Sequence, residues 1–171
     1  MLSRTIISLF RSTEGSAIVE SAVVLPMLFS LVLGVYEFSW FYYKQQLVET
    51  GVRDAARYLA RSSAGASDAN PCNNATAVAN AKYIATNTNY SATNGAISGG
   101  TARVPTWTTA AVTITCPAID NSSGSYVGGT TLHLVTVSTS FADPALGFFG
   151  FLKLPTPNIS ASHSERSIGP G

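Results

Sequence analysis

Charge is the scarcest component of this chain: Asp, Glu, Lys and Arg make up only 11% of its 171 residues, and they nearly cancel to a formal net charge of +1. So weak a field gives no electrostatic support for a nucleic-acid partner. Histidine is limited to His133 and His163, and cysteine to Cys72 and Cys116. The cysteines lack the short C-x-x-C spacing and the histidines lie far apart, so neither a metal site nor a cofactor is expected. No G-x-S-x-G elbow and no G-x-x-x-x-G-K-[ST] phosphate loop occurs, and neither histidine stands near a nucleophile and an acid in sequence. An enzyme is therefore not expected. A small hydrolase assembled from distant residues is the remaining catalytic alternative.

What the chain does have is one long apolar run. It reads Ser21 to Tyr36, is interrupted by Glu37, and continues through Phe38-Ser39-Trp40-Phe41-Tyr42-Tyr43 to Lys44. At about 1.5 Å per residue, Ser21 to Tyr43 crosses a hydrocarbon core of about 30 Å, whereas Ser21 to Tyr36 alone falls a little short. Trp40, Tyr42 and Tyr43 suit the outer interface, where an amphipathic ring keeps its polar end wet, and Glu37 is expected to reach headgroups from there. Pro26 removes one helical hydrogen bond and Gly34 loosens the backbone, which membrane helices tolerate when neighbours compensate. A kink or a locally melted turn is expected at Pro26. No small-residue cleavage site lies between Val35 and Gln45, so the segment reads as a retained anchor rather than a removable secretory signal.

Glu20 needs a reason to sit at the edge of such a run, because an acidic residue at the centre of a membrane helix costs about 2.5–3.5 kcal/mol on insertion scales. Upstream, residues 1–15 carry Arg4 and Arg11 but no long apolar core, which is the composition of a short cationic leader that stays in the cytoplasm. Gly15-Ser16-Ala17-Ile18-Val19-Glu20 resembles the processing site of type IV prepilins, in which a membrane-embedded prepilin peptidase cuts after the glycine. The resemblance implies cleavage between Gly15 and Ser16. It also implies that the new amine of Ser16 pairs with Glu20 of a neighbouring subunit, an ion pair that is weakly solvated and therefore sensitive to register. An ordinary signal anchor with an interfacial glutamate is the alternative. Arginines flank the run on both sides, so charge does not fix its direction; the leader and the downstream composition place the amino end inside.

Beyond the span, Leu47, Val48, Val52, Ala55, Ala56 and Leu59 recur at three- and four-residue steps, which predicts that the helix continues to about Arg61. From Ser16 to Arg61 it would be about 70 Å long. Glu49 and Arg53 stand one turn apart and are expected to support each other. Arg53, Arg57 and Arg61 form a basic stripe, either a solvated face or a contact for acidic groups of a neighbouring subunit. Ser62 to Ser67 ends the pattern.

Four stretches together resemble the TadE-like pseudopilins of the tight-adherence (Flp) pilus system: Glu14-Gly15-Ser16-Ala17-Ile18-Val19-Glu20, Val23 to Leu28, Gly34-Val35-Tyr36-Glu37, and Ala55 to Arg61. The resemblance covers Thr13 to about Arg61. It implies peptidase processing, an inner-membrane anchor, and a minor pilin that assembles or initiates a pilus used in surface adherence. Its partners would be the prepilin peptidase, other pilins packed along the N-terminal helix through Pro26, Glu37 and the arginine stripe, the pilus assembly platform, and membrane lipid. Ser21 departs from the tyrosine that major Flp pilins place after the glutamate, and the chain is longer than those pilins, which argues against a bulk filament subunit. The competing class is a single-pass membrane-anchored periplasmic binding module that never polymerises.

The expected organisation is a leader at 1–15, a transmembrane helix at 16–43, its periplasmic extension at 44–61, and a small exported α+β domain at 62–171. In an oxidising periplasm a single Cys72–Cys116 disulfide is the simplest use of two cysteines, with two unpaired thiols as the alternative. Such a bond would close a loop of about 45 residues and contribute roughly 4 kcal/mol in the chain-entropy model. Ala75 to Thr86 is expected to form a short helix with Val78, Ala79 and Tyr83 toward the core. Ala111 to Cys116 and Thr130 to Phe141 alternate as half-buried strands and predict a hairpin with a long loop; Ile159 to Glu165 is a weaker third strand. His133 is expected at an edge or facing solvent. Phe148-Phe149-Gly150-Phe151-Leu152 is expected to cover the sheet or, if exposed, to mark an interface. The expected fold is thus α+β: one long N-terminal membrane helix continuing into the periplasm and packed against a small antiparallel sheet, a pilin-like layout.

Overall fold

The computed structural model describes residues 13–62, 70–124, 131–144, 147, 150, 153 and 155–167. A single helix, α1 (Thr13–Ser62), runs through the apolar segment and past it. The chain divides into two compact units, Met1–Trp40 and Phe41–Gly171.

Within the first unit, α1 carries Ile18, Val24, Met27, Leu31, Val35 and Phe38 at 50% exposure or more, and its most apolar window is not buried at all. Apolar surface on every side of a helix belongs in lipid or among other helices. Ser21, Ser30 and Ser39 are compatible with that setting, because each hydroxyl donates to the carbonyl one turn back: Ser21 to Ala17, Ser30 to Pro26 and Ser39 to Val35, all at 2.8 Å. A hydroxyl left unpaired in hydrocarbon would cost several kcal/mol, about 4–8 on water-to-alkane scales. Pro26 is accommodated inside the helix, which is assigned without interruption across it, so no melted turn forms there.

The second unit is built on the remainder of α1. Val48, Val52, Ala55, Ala56 and Leu59 are fully buried. They form one stripe at three- and four-residue steps. They pack against α2 (Ala75–Thr86) through Ala77, Ala81 and Ala85, and against Val112, Val135, Val137 and Ile159 of the sheet. Small residues on the facing helices let the backbones approach closely. A Cβ built on Gly51 would stand 2.2 Å from the carbonyl oxygen of Ala85 and 3.0 Å from the Trp107 ring.

Asn74 caps α2 by accepting from the Ala77 N–H at 3.0 Å, and Asn70 accepts from Cys72 N–H at 2.9 Å to start the short 3-10 turn Pro71–Asn73. The core face of α2 is Ala77, Asn80, Ala81, Ile84 and Ala85. This corrects the expected face in part: Val78 does pack against the core, half-buried, but Ala79 is exposed and Tyr83 is only half-buried outside that cluster. The alanines, too small to dominate a hydropathy pattern, are the residues that fit beneath α1.

Asn80 is buried and satisfied at both ends of its amide. It donates to Gly95 O (2.7 Å) and the Tyr58 hydroxyl (3.1 Å), and accepts from Ile97 N–H (3.0 Å). It thereby holds a hairpin formed by β2 (Ser91–Thr93) and β3 (Ala96–Ser98). The turn is Asn94-Gly95, with φ of 52° and 80°, the left-handed pair that a two-residue turn between twisted strands requires. Next to it β1 (Asn87–Thr88) pairs with β4 (Thr101–Ala102).

The main sheet is centred on β7 (Thr131–Ala142). β5 (Val112–Thr115) and β6 (Ala118–Asp120) pair antiparallel with its two halves, and β8 (Asn158–Arg166) pairs antiparallel from Leu134↔Arg166 to Ala142↔Asn158. Two sequence expectations change here. A strand, β6, lies between the two arms of the expected hairpin. The segment expected to be weakest, β8, has the longest pairing in the sheet. β8 reads as weak because its partner-facing pattern is serine rather than valine: Ser160, Ser162 and Ser164 stand opposite Ser140, Ser138 and Thr136. His133 lies half-buried on the central strand, not an edge, with its ring nitrogen 3.3 Å from Cys116 O. Phe148, Phe149, Phe151 and Leu152 lie outside the described residues.

The indole N–H of Trp107 donates to Thr139 Oγ1 at 2.9 Å, that hydroxyl donates on to Ala111 O at 2.9 Å, and the Trp107 ring stacks on Phe141 at 5.9 Å between centroids. Cys72 and Cys116 are joined in a disulfide, Cα to Cα 5.9 Å, tying the 3-10 turn that precedes α2 to the residue that follows β5.

Candidate functional site

Gly15 and Ser16 lie in the first turn of α1, and Glu20 follows Ser16 by four residues, one turn of the same helix. Glu20 is exposed, and among the described residues it has no ion-pair partner. Around it stand Ile18, Val19, Val23 and Val24, each at least half exposed. A lone carboxylate on an otherwise apolar surface has no counter-charge among the described residues. A cation brought by another molecule would relieve it.

Pro26 is exposed on the same apolar surface, whereas Glu37 is buried at 8% exposure and has interaction partners. A carboxylate so enclosed does not reach headgroups, which corrects the sequence expectation. Hydropathy could not foresee this, since nothing local distinguishes a glutamate that snorkels from one that is covered.

The arginine stripe splits into separate roles. Arg53 and Arg61 are exposed, and among the described residues neither makes an ion pair. The expected Glu49–Arg53 support is replaced by a hydrogen bond from Gln45 to Glu49 at 3.2 Å, while the same amide nitrogen of Gln45 reaches Ser160 O at 2.8 Å. Arg57 meets Glu165 of β8 at 3.4 Å, and His163 meets the same carboxylate oxygen at 3.0 Å. The hydrogen bond from His163, seconded by Arg57, holds the Glu165 carboxyl below the usual range.

Two ion pairs escaped the sequence reading. Lys44 Nζ stands 2.5 Å from Asp143 Oδ2, with side chains 6% and 0% exposed, and Thr106 donates to Asp143 Oδ1 at 3.3 Å. Arg103 Nη2 reaches Asp54 at 2.8 Å, the arginine nearly buried and the aspartate on the rim. No local pattern announces pairs 99 and 49 residues apart. Their only sequence signal is that charges are few, so each one inside a folded unit is expected to have a partner. Among the described residues, no group of three His, Cys, Asp or Glu side chains could hold a metal ion.

Taken together, these features define a class: an α+β protein whose single long, apolar N-terminal helix suggests a single-pass membrane anchor. The anchor is TadE-like in sequence, since the family model described as TadE-like protein matches residues 15–57. The match begins at Gly15 and ends at Arg57, so it takes in Glu20, Pro26, Glu37 and Arg53 and leaves α2 and the sheet outside. No curated protein and no solved structure matches the chain.

Proposed function

We propose that the chain is a prepilin-like subunit processed after Gly15, anchored in the inner membrane with its amino end in the cytoplasm and its sheet-bearing domain in the periplasm. It serves as a minor pilin or pseudopilin in the assembly or initiation of a tight-adherence (Flp) pilus, and it carries no catalytic step. The observation that carries this reading is Glu20, exposed and without an ion pair among the described residues, on the apolar face of a helix whose sequence is TadE-like from Gly15 onward.

Cleavage places an ammonium at Ser16, at the cytosolic edge of the bilayer. In that weakly solvated layer the amine of one helix and the Glu20 carboxylate of its neighbour compensate each other, and the pairing sets the axial register of adjacent subunits. Exposed Ile18, Met27 and Leu31 supply the packing between helices. Other pilins, the prepilin peptidase and the assembly platform are the partners this arrangement requires. The disulfide and the tightly packed core suit a domain that must hold its shape in an oxidising compartment.

Two substitutions test the reading in cells with an active prepilin peptidase. Gly15→Ala is expected to leave full-length precursor as essentially the whole population on immunoblots. Glu20→Ala is expected to be cleaved as the native chain is, yet to reduce surface pili at least tenfold when sheared filaments are quantified. Normal cleavage of the first variant, or normal piliation by the second, contradicts the corresponding part of the proposal. A full-length protein that stays in the inner membrane and leaves piliation unaffected when deleted would instead favour the anchored binding module.

A further inference from the structure

β8 stands at an edge of the main sheet: among the described residues, β7 is the only strand it pairs with. The N–H of Ser167 donates to His133 O and that of Asp143 to Pro157 O, in the same register that joins β7 to β8. Backbone groups alternate along an antiparallel ladder, so the odd-numbered residues of β8 turn theirs to β7, while Asn158, Ser160, Ser162 and Ser164 turn theirs outward. Those four residues are exposed. Among the described residues the one bond on this outward row comes from the Gln45 amide of α1, which donates to Ser160 O at 2.8 Å. Edge strands are ordinarily blunted by Pro, Lys or a bulge. The opposite edge of this sheet is interrupted in that way, because disulfide-bonded Cys116 and Pro117 separate β5 from β6. β8 has no such break: its pairing runs without a slip from Asn158 to Arg166, and it contains neither Pro nor Lys. Against residues 160–163 lies a cleft of about 260 Å3, closed on its far side by Glu49, Val52 and Arg53 of α1, with Val52 and Ala161 as its apolar part.

We infer that β8 takes an extended segment of another protein as a further antiparallel strand, one that alternates a valine-sized residue toward the cleft with a hydroxyl-bearing residue on the opposite face. A row of outward N–H and C=O groups at a two-residue repeat is complementary to the backbone of an extended chain. The side-chain alternation follows from what already surrounds β8. On its paired flank, β7 buries Val135 and Val137 in the core and sets Thr136 and Ser138 opposite Ser164 and Ser162. A strand on the free flank meets the same two surfaces, with Val52 and Ala161 on one face and the serine hydroxyls on the other. β8 of a second copy fits less well. Gln45 meets Ser160 and Arg57 meets Glu165, so α1 and β8 run in the same direction. Antiparallel pairing of two β8 strands would therefore set two α1 helices in opposite directions, which does not suit chains anchored in one membrane. The inference goes beyond pilus assembly and stands whether or not the leader is removed.

The test uses the full chain in nanodiscs of zwitterionic lipid and two blocked Thr-Val-Thr-Val-Thr-Val-Thr peptides, one N-methylated at its valines and the other at its threonines. In antiparallel pairing the threonines lie opposite the outward serines of β8 and their amides face it. The valine-methylated peptide is therefore expected to bind saturably, and the threonine-methylated one at least tenfold more weakly. On binding, amide exchange at Ser162 and Ser164 is expected to slow at least tenfold, while that of His163, already bonded to β7, changes little. Ser162→Pro removes an outward donor without touching the ladder to β7, and is expected to weaken the peptide at least tenfold with near-ultraviolet circular dichroism unchanged. Should that variant lose its fold, the peptide pair and the exchange of the native chain carry the test by themselves. The proposal is overturned by absent binding, by an equal or reversed preference between the two peptides, or by unchanged exchange at Ser162. Peptide binding that survives Ser162→Pro in a folded protein also overturns it, as does self-association of the chain that Ser162→Pro abolishes. Terminal sequencing of the same preparation reports separately on cleavage after Gly15.

Discussion

Asp143→Ala is expected to lower the stability of the sheet-bearing unit by about 3–5 kcal/mol, the usual cost of removing one member of a buried ion pair. Asp143 is fully enclosed, its carboxylate takes Lys44 on one oxygen and Thr106 on the other, and its own N–H donates to Pro157 O at 3.2 Å. Truncation takes an ion-pair partner from the Lys44 ammonium in a site that is 6% exposed. The pair itself is not the source of the stability, because two charges must first be desolvated to form it. Lys44→Met is therefore expected to be nearly as damaging as Asp143→Ala. The double substitution Lys44→Met with Asp143→Leu is expected to recover most of the loss. Urea unfolding of the detergent-solubilised chain, followed by Trp107 fluorescence in a Trp40→Phe background, measures all three. A loss under about 1 kcal/mol for Asp143→Ala, or a double variant as unstable as the sum of the singles, would contradict the pair's placement.

The second large effect is expected at Gly51. Its missing side chain is what lets α1 lie against α2, because an added methyl would meet a backbone carbonyl, Ala85 O, at 2.2 Å, as well as the Trp107 ring. A backbone atom cannot rotate aside as a side-chain tip can. Both helices would have to separate, opening contacts among Val48, Val52, Ala55, Ala81 and Ala85. Gly51→Ala is expected to cost about 3 kcal/mol, at the upper end of the overpacking range, despite the better helix propensity of alanine. Gly34→Ala serves as the control, since nothing lies within 4 Å of a Cβ there. A Gly51→Ala protein as stable as the Gly34→Ala protein would mean that the two helices are not in this contact.

The parts of the fold written in local periodicity were legible from the sequence. The apolar stripe of α1 through Val52, Ala55, Ala56 and Leu59, the extent of α2, and the alternation of β7 follow from steps of three, four or two that one chain segment carries by itself. The Asn94-Gly95 turn is equally local, and its dipeptide is the signal that finds the β2–β3 hairpin, which the strand expectations above do not include. What could not be read depends on tertiary pairing. β6 is three residues long, too short for any periodicity, and is a strand because Leu132 and His133 of β7 lie beside it. β8 is held by main-chain pairing to β7 more than by its own composition. The partnering of Lys44 with Asp143 and of Arg57 with Glu165 joins elements far apart in sequence. For the candidate site the division is similar: Gly15, Ser16 and Glu20 stand out in a linear motif, whereas the open edge of β8 exists only once β8 is laid beside β7.

The account rests on a cut after Gly15 that creates an amine for Glu20 to meet. Its most direct test is the intact mass and terminal sequence of the protein purified from sheared pili and, separately, from inner membrane of the same cells. The mature chain is expected to begin at Ser16 in both fractions. Surface-assembled protein that still begins at Met1 would contradict the account.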